Sequence, residues 1–125
     1  MNVFGKILVR KIILLLTLVL FSCSKNEISR NPNLTSVKFN VSVNLNLPSN
    51  DNLRFTGGSS LFPSGGINGV LIFNLNGTYL AWEASCPNHP IKNCSKLSLK
   101  GVLAECECEG YQYSLAVGQL LNPDE

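Results

Sequence analysis

The sequence predicts a small all-β domain of short antiparallel strands, closed as a barrel or sandwich and preceded by an N-terminal stretch of a different kind. Three observations carry this. Across residues 37–47 every odd position is apolar (Val37, Phe39, Val41, Val43, Leu45, Leu47) and every even one polar, the period of a half-buried strand. Two strand-like runs, residues 70–75 and 78–83, flank Asn76-Gly77, the strongest short-range hairpin signal a sequence offers. Between residues 36 and 125 no ten residues show a helical period.

Residues 1–22 read as an address label. Lys6, Arg10 and Lys11 form a positive n-region ahead of an apolar run over residues 12–21. That run is too short for a bilayer core, which needs roughly 20 residues, so cleavage is expected. Its ending, Leu20-Phe21-Ser22-Cys23, resembles a bacterial lipobox, although Phe21 is bulkier than is usual there. The resemblance implies that Cys23 carries diacylglycerol and becomes the mature N-terminus. A plain secretory peptide with a chance cysteine, or an uncleaved anchor, is the competing reading. Two or three acyl chains hold a protein stably where one is marginal. The expectation is therefore an exported protein, lipid-anchored to a bacterial membrane through Cys23 and facing the periplasm or the outside.

Removing the label changes the charge. Three of the ten Lys+Arg lie in it, which leaves seven against eight Asp+Glu. The mature chain is near neutral, with no basic stripe and interleaved aromatics, so nucleic acid is excluded as a partner. The remaining length allows one small domain with a thin core that wants a covalent or metal staple. Export makes disulfides available.

In chain order, residues 23–35 are the lipidated N-terminus and a polar, pattern-free stretch expected to be a flexible tether. The domain occupies residues 36–125. After the strand at 37–47, residues 48–66 are rich in Ser, Asn, Gly and Pro and read as a loop, with a short strand near 53–55. The Asn76-Gly77 hairpin then delivers the chain to Cys86. A second hairpin, residues 96–99 and 102–106 around Lys100-Gly101, delivers it to Cys106. Residues 111–113 and 120–121 around Gly118 form a third.

The two loops that follow the first hairpins hold every cysteine but Cys23, and the only histidine. They read Cys86-Pro87-Asn88-His89 with Cys94, and Cys106-Glu107-Cys108-Glu109-Gly110. Soft ligands in two clusters about twenty residues apart predict facing loop tips across a small site. By residue type this is either a metal centre or a pair of disulfides. Mononuclear zinc on Cys86, His89, Cys106 and Cys108 fits tetrahedral sulfur and nitrogen ligation, although Cys-x-Cys is tighter than the usual spacing.

Residues 70–123 resemble the cluster-binding subdomain of Rieske proteins. The likeness rests on the two Cys-bearing loops, on Ala81-Trp82-Glu83-Ala84-Ser85-Cys86-Pro87, and on Gly110-Tyr111-Gln112-Tyr113 with its glycine turn. Similar flavobacterial-type lipoproteins share the Cys-Pro-Asn-His and Cys-x-Cys-Glu elements. The family pattern is Cys-x-His and Cys-x-x-His-Gly. Here the first loop is one residue longer, and Glu109 stands in place of the second histidine.

The resemblance implies a Rieske-like fold and a [2Fe-2S] cluster, in which two thiolates hold one iron and two imidazoles the other. Carried over, Cys86 and Cys106 are the thiolates and His89 one imidazole. Either Cys108 or Glu109 completes the set, and a Cys94–Cys108 disulfide ties the loops if Glu109 ligates. The implied function is a membrane-anchored one-electron carrier with an unknown redox partner, where the protein orients and tunes the centre and supplies no catalytic residue. A carboxylate is a hard ligand that would lower the potential and hold such a cluster poorly. The alternative is a metal-free structural or binding lipoprotein held by disulfides. The resemblance also implies a closing strand beyond Pro123, so the domain is expected to be C-terminally truncated, with an unpaired edge and marginal stability.

Other features read as structure. Tyr79, Trp82, Tyr111 and Tyr113 are expected to be core or cross-strand packing. Glu105, Glu107 and Glu109 alternate along a strand and are expected to line a solvated face, with no pocket partner for acid/base work. Gly57-Gly58 and Gly65-Gly66 lack the strand and helix context of a phosphate loop. No nucleophile with a base and an orienting third group stands out.

Overall fold

In a computed structural model the described residues are 3–19 and 30–123. Cys23 lies outside them, and with it the lipidation reading and residues 24–29 of the tether. Residues Val3–Val19 form helix α1, over the stretch read as the charged and apolar parts of the label. Among the described residues no helix is long and apolar enough to cross a membrane.

The rest is all-β apart from one 3-10 turn, as the sequence predicts. Among the described residues six short strands make two three-stranded antiparallel sheets and no closed barrel. The first sheet has β1 (Ser59–Phe62), β2 (Val70–Leu75) and β3 (Thr78–Glu83), in that order. Asn76 and Gly77 take φ of 51° and 86°, the paired left-handed conformation that a two-residue hairpin with native strand twist requires. The resulting register sets Leu71 opposite Trp82 and Phe73 opposite Leu80.

The second sheet has β4 (Leu97–Lys100), β5 (Leu103–Cys106) and β6 (Gln112–Ser114). Its first turn is Gly101-Val102, one residue later than the sequence reading, with Gly101 at φ 67°. The third hairpin is reduced to a single bridge, Tyr113 to Leu120, with the Gly118 amide donating to the Ser114 carbonyl in its turn. Between the sheets a core closes from Leu71, Phe73, Ala84, Cys86, Leu97, Ala104, Cys106, Tyr113 and Leu115. Tyr113 and Trp82 pack there as expected, whereas Tyr79 is exposed.

Two expectations are corrected. Residues 37–47 form no strand. Their alternation survives as exposure, with Val41, Val43 and Leu45 half-buried and Ser42 and Asn44 exposed. No strand among the described residues pairs with them, and a strand without a ladder partner has nothing to satisfy its backbone. The stretch at 53–55 is also not a strand. Pro48–Arg54 is a 3-10 helix with proline at its start, and it turns Asn50 and Leu53 inward. Leu53 is fully buried and its carbonyl accepts from the Asn74 side chain at 2.8 Å. Strand β1, read as loop, follows it.

Candidate functional site

Strand β3 ends at Glu83, and the next residues pair with the start of β4. The Leu97 amide donates to the Ala84 carbonyl and the Cys86 amide to the Ser95 carbonyl. On the other side of β4, Leu97 lies opposite Cys106, the last residue of β5. The segment 95–97 therefore has Cys86 on one flank and Cys106 on the other. Both cysteines are fully buried, with Cα atoms 5.7 Å apart, and their sulfurs are joined as a disulfide. Cys94 and Cys108 form a second disulfide, Cα to Cα 5.1 Å, between the same two loops. That outer pair is only half-buried. Two disulfides fit an oxidising, extracellular-type compartment.

His89 reaches into the same place. It is 8% exposed, and its Nδ1 donates to the Pro90 carbonyl at 2.8 Å. That bond fixes the ring and leaves Nε2 facing the site, the arrangement by which proteins orient a ligating imidazole. Nε2 lies 3.5 Å from the Cys106 sulfur and 3.0 Å from Oε2 of Glu109. The Glu109 oxygen is also 3.2 Å from the Cys106 sulfur. One donor atom from each of Cys86, His89, Cys106 and Glu109 thus lies within 4.8 Å of the others. Cys108, the other fourth-ligand candidate, has its sulfur taken by the outer bridge.

Glu109 is exposed, as expected, but it lies beyond the strand on which the alternation placed it. Strand β5 ends at Cys106, and the Gly110 amide turns back onto the Cys106 carbonyl, with Gly110 at φ 73°. The alternation stops there, and this tight turn swings the Glu109 carboxylate toward His89. Glu105 stays on the strand, where it accepts from Gln112 and lies 3.9 Å from Lys100, while Glu107 is exposed.

Three supports escaped the sequence reading. Ser95, fully buried, has its hydroxyl 2.6 Å from the Lys92 amide and 3.5 Å from Nδ1 of His89, so it shapes the turn that carries the ring. Asn31 and Asn33 both donate through Nδ2 to the Pro87 carbonyl at 2.9 Å. The end of the stretch read as tether is therefore pinned to the Cys86–His89 loop. A run of asparagines gives no signal of a partner more than fifty residues away. Tyr113 lies in the same core with its hydroxyl buried and, among the described residues, without a hydrogen-bond partner. Burial, with Glu109 and Tyr111 adding to it, pushes its hydroxyl up to about 12. The chain matches no protein-family profile, no curated protein and no solved structure.

Proposed function

We propose that the chain is an exported lipoprotein, anchored through Cys23, whose domain is Rieske-like and serves one-electron transfer at the tips of its two loops. The observation that supports this most is the convergence of two sulfurs, one imidazole and one carboxylate, from loops some twenty residues apart, within 4.8 Å. The donors match an iron–sulfur centre at three positions. Cys86 and Cys106 come from opposite loops, and His89 has its second nitrogen tied to a carbonyl. At the fourth, Glu109 offers oxygen where the family offers nitrogen. On this reading Cys86, Cys106, His89 and Glu109 hold the centre once the inner sulfurs are reduced, and the Cys94–Cys108 bridge keeps the loops in register. The centre, when bound, supplies one-electron redox chemistry at a potential that nitrogen ligation raises and a carboxylate lowers. The residues themselves hold position and exclude water on the Cys86 side, where the core is closed.

A second reading has its own support, because both cysteine pairs are disulfides in the structure. In it the scaffold is a metal-free structural or binding lipoprotein. One preparation separates the two. Protein folded anaerobically with iron and sulfide should be coloured and carry iron and acid-labile sulfide in equal amounts. A colourless, iron-free product with no free thiol in the domain supports the disulfide reading instead.

A further inference from the structure

We infer that Cys86–Cys106 is a redox latch on a mononuclear divalent-metal site formed by Cys86, His89, Cys106 and Glu109. The inference rests on the donor convergence used above, with a single divalent ion in place of the cluster. Two of the four donors are sulfurs bonded to each other, so the oxidised site offers a divalent cation only His89 and Glu109. Those two lie 3.0 Å apart. Two-electron reduction converts the site. A dithiol reductant exchanges with the Cys86–Cys106 bond, its own two thiols become a disulfide, and their two protons and two electrons leave Cys86 and Cys106 as thiols. Binding a soft divalent ion then releases the two thiol protons to solvent and leaves a set of two thiolates, one imidazole and one carboxylate, a composition suited to tetrahedral zinc.

The fold separates the two disulfides by role. The outer pair joins the same two loops, so opening the inner bond leaves the loops tied. The inner sulfurs are fully buried in the core cluster that also holds Leu97, Ala104 and Tyr113. Glu109 is the exposed member and marks the side by which an ion enters.

Linkage makes the idea measurable. A metal that binds only the dithiol form pulls the inner pair toward reduction, and for a two-electron couple a tenfold change in equilibrium is about 30 mV. The full chain, equilibrated anaerobically in dithiol redox buffers with and without Zn2+, would be alkylated and its thiols assigned by peptide mass spectrometry. The expected result is a midpoint for Cys86–Cys106 that rises by about 30 mV per tenfold excess of free Zn2+ over the dissociation constant. The Cys94–Cys108 midpoint should stay put, and E109Q, an exposed substitution compatible with folding, should shrink the inner shift. Equal midpoints with and without Zn2+, or an equal shift of both pairs, would overturn the latch. A preparation that fails to assemble an iron–sulfur centre yet keeps the Zn2+ shift removes only the electron-transfer reading and supports the latch. One that assembles the cluster without a Zn2+ shift removes only the latch.

Discussion

At the scale of the residue, Tyr113 and Gly118 show what the core tolerates. The Tyr113 hydroxyl is buried, has no partner among the described residues, and is pushed up to about 12, above the ordinary value of 10.0. Its proton is therefore held more tightly in the folded than in the unfolded chain. The associated stability is fully present below pH 10 and is lost as pH rises toward 12, at about 1.4 kcal/mol per unit between the two values. Chemical denaturation from pH 9 to 12 should show this fall for the natural chain and a flatter curve for Y113F, which should be no less stable at neutral pH because it removes an unpaired hydroxyl. Equal slopes for both would contradict the assignment. Gly118 has φ 72°, and a methyl there would sit 2.7 Å from the Trp82 ring, whose Nε1 donates to the Leu115 carbonyl. Gly77 has a similar φ, 86°, but open space around it. G77A should cost about 1 kcal/mol for the backbone alone and G118A about 2–3 kcal/mol, since the indole cannot withdraw without losing its bond. Thermal midpoints of the two variants check the order, and a G118A no worse than G77A would show the ring to be free to move.

At the scale of the element, the outer disulfide is the staple a thin core needs. Cys94 and Cys108 are separated by 14 residues, and a closed loop of that size is worth about 3 kcal/mol. The paired variant C94S/C108S should lose about that much in denaturant titration, and an unchanged midpoint would mean the loops are held by packing alone. The elements themselves were unevenly legible. Hairpins announced by a left-handed turn residue, Asn76-Gly77 and Gly101, could be read because the signal is local and steric. Residues 37–47 misled because period-two alternation reports which side chains face inward and says nothing of whether a ladder partner exists. Strand β1 was hidden for the opposite reason. Its residues are all half-buried, so Ser59-Ser60-Leu61-Phe62 shows no alternation to detect. Pro48 began a 3-10 turn in a stretch whose composition promised only loop.

At the scale of the whole molecule, the two hairpins matter because their ends meet. Cysteine spacing predicted facing loop tips, and the register of β4 against both neighbours is what brings Cys86 and Cys106 together. That Cys86 pairs with Cys106, and that Glu109 rather than Cys108 stands beside His89, depended on the turn after β5. A strand-like alternation over residues 104–109 conceals that turn. The N-terminal residues 31–33, docked on the Pro87 carbonyl, connect the site loop to the segment that leads toward Cys23. The account as a whole requires that the four donors serve one centre. X-ray absorption at the zinc edge, on anaerobic protein with the inner disulfide reduced and one Zn2+ bound, counts them directly. Two sulfur neighbours at about 2.3 Å and two nitrogen or oxygen neighbours at about 2.0–2.1 Å are predicted. Three or four sulfur neighbours, or none, would contradict it.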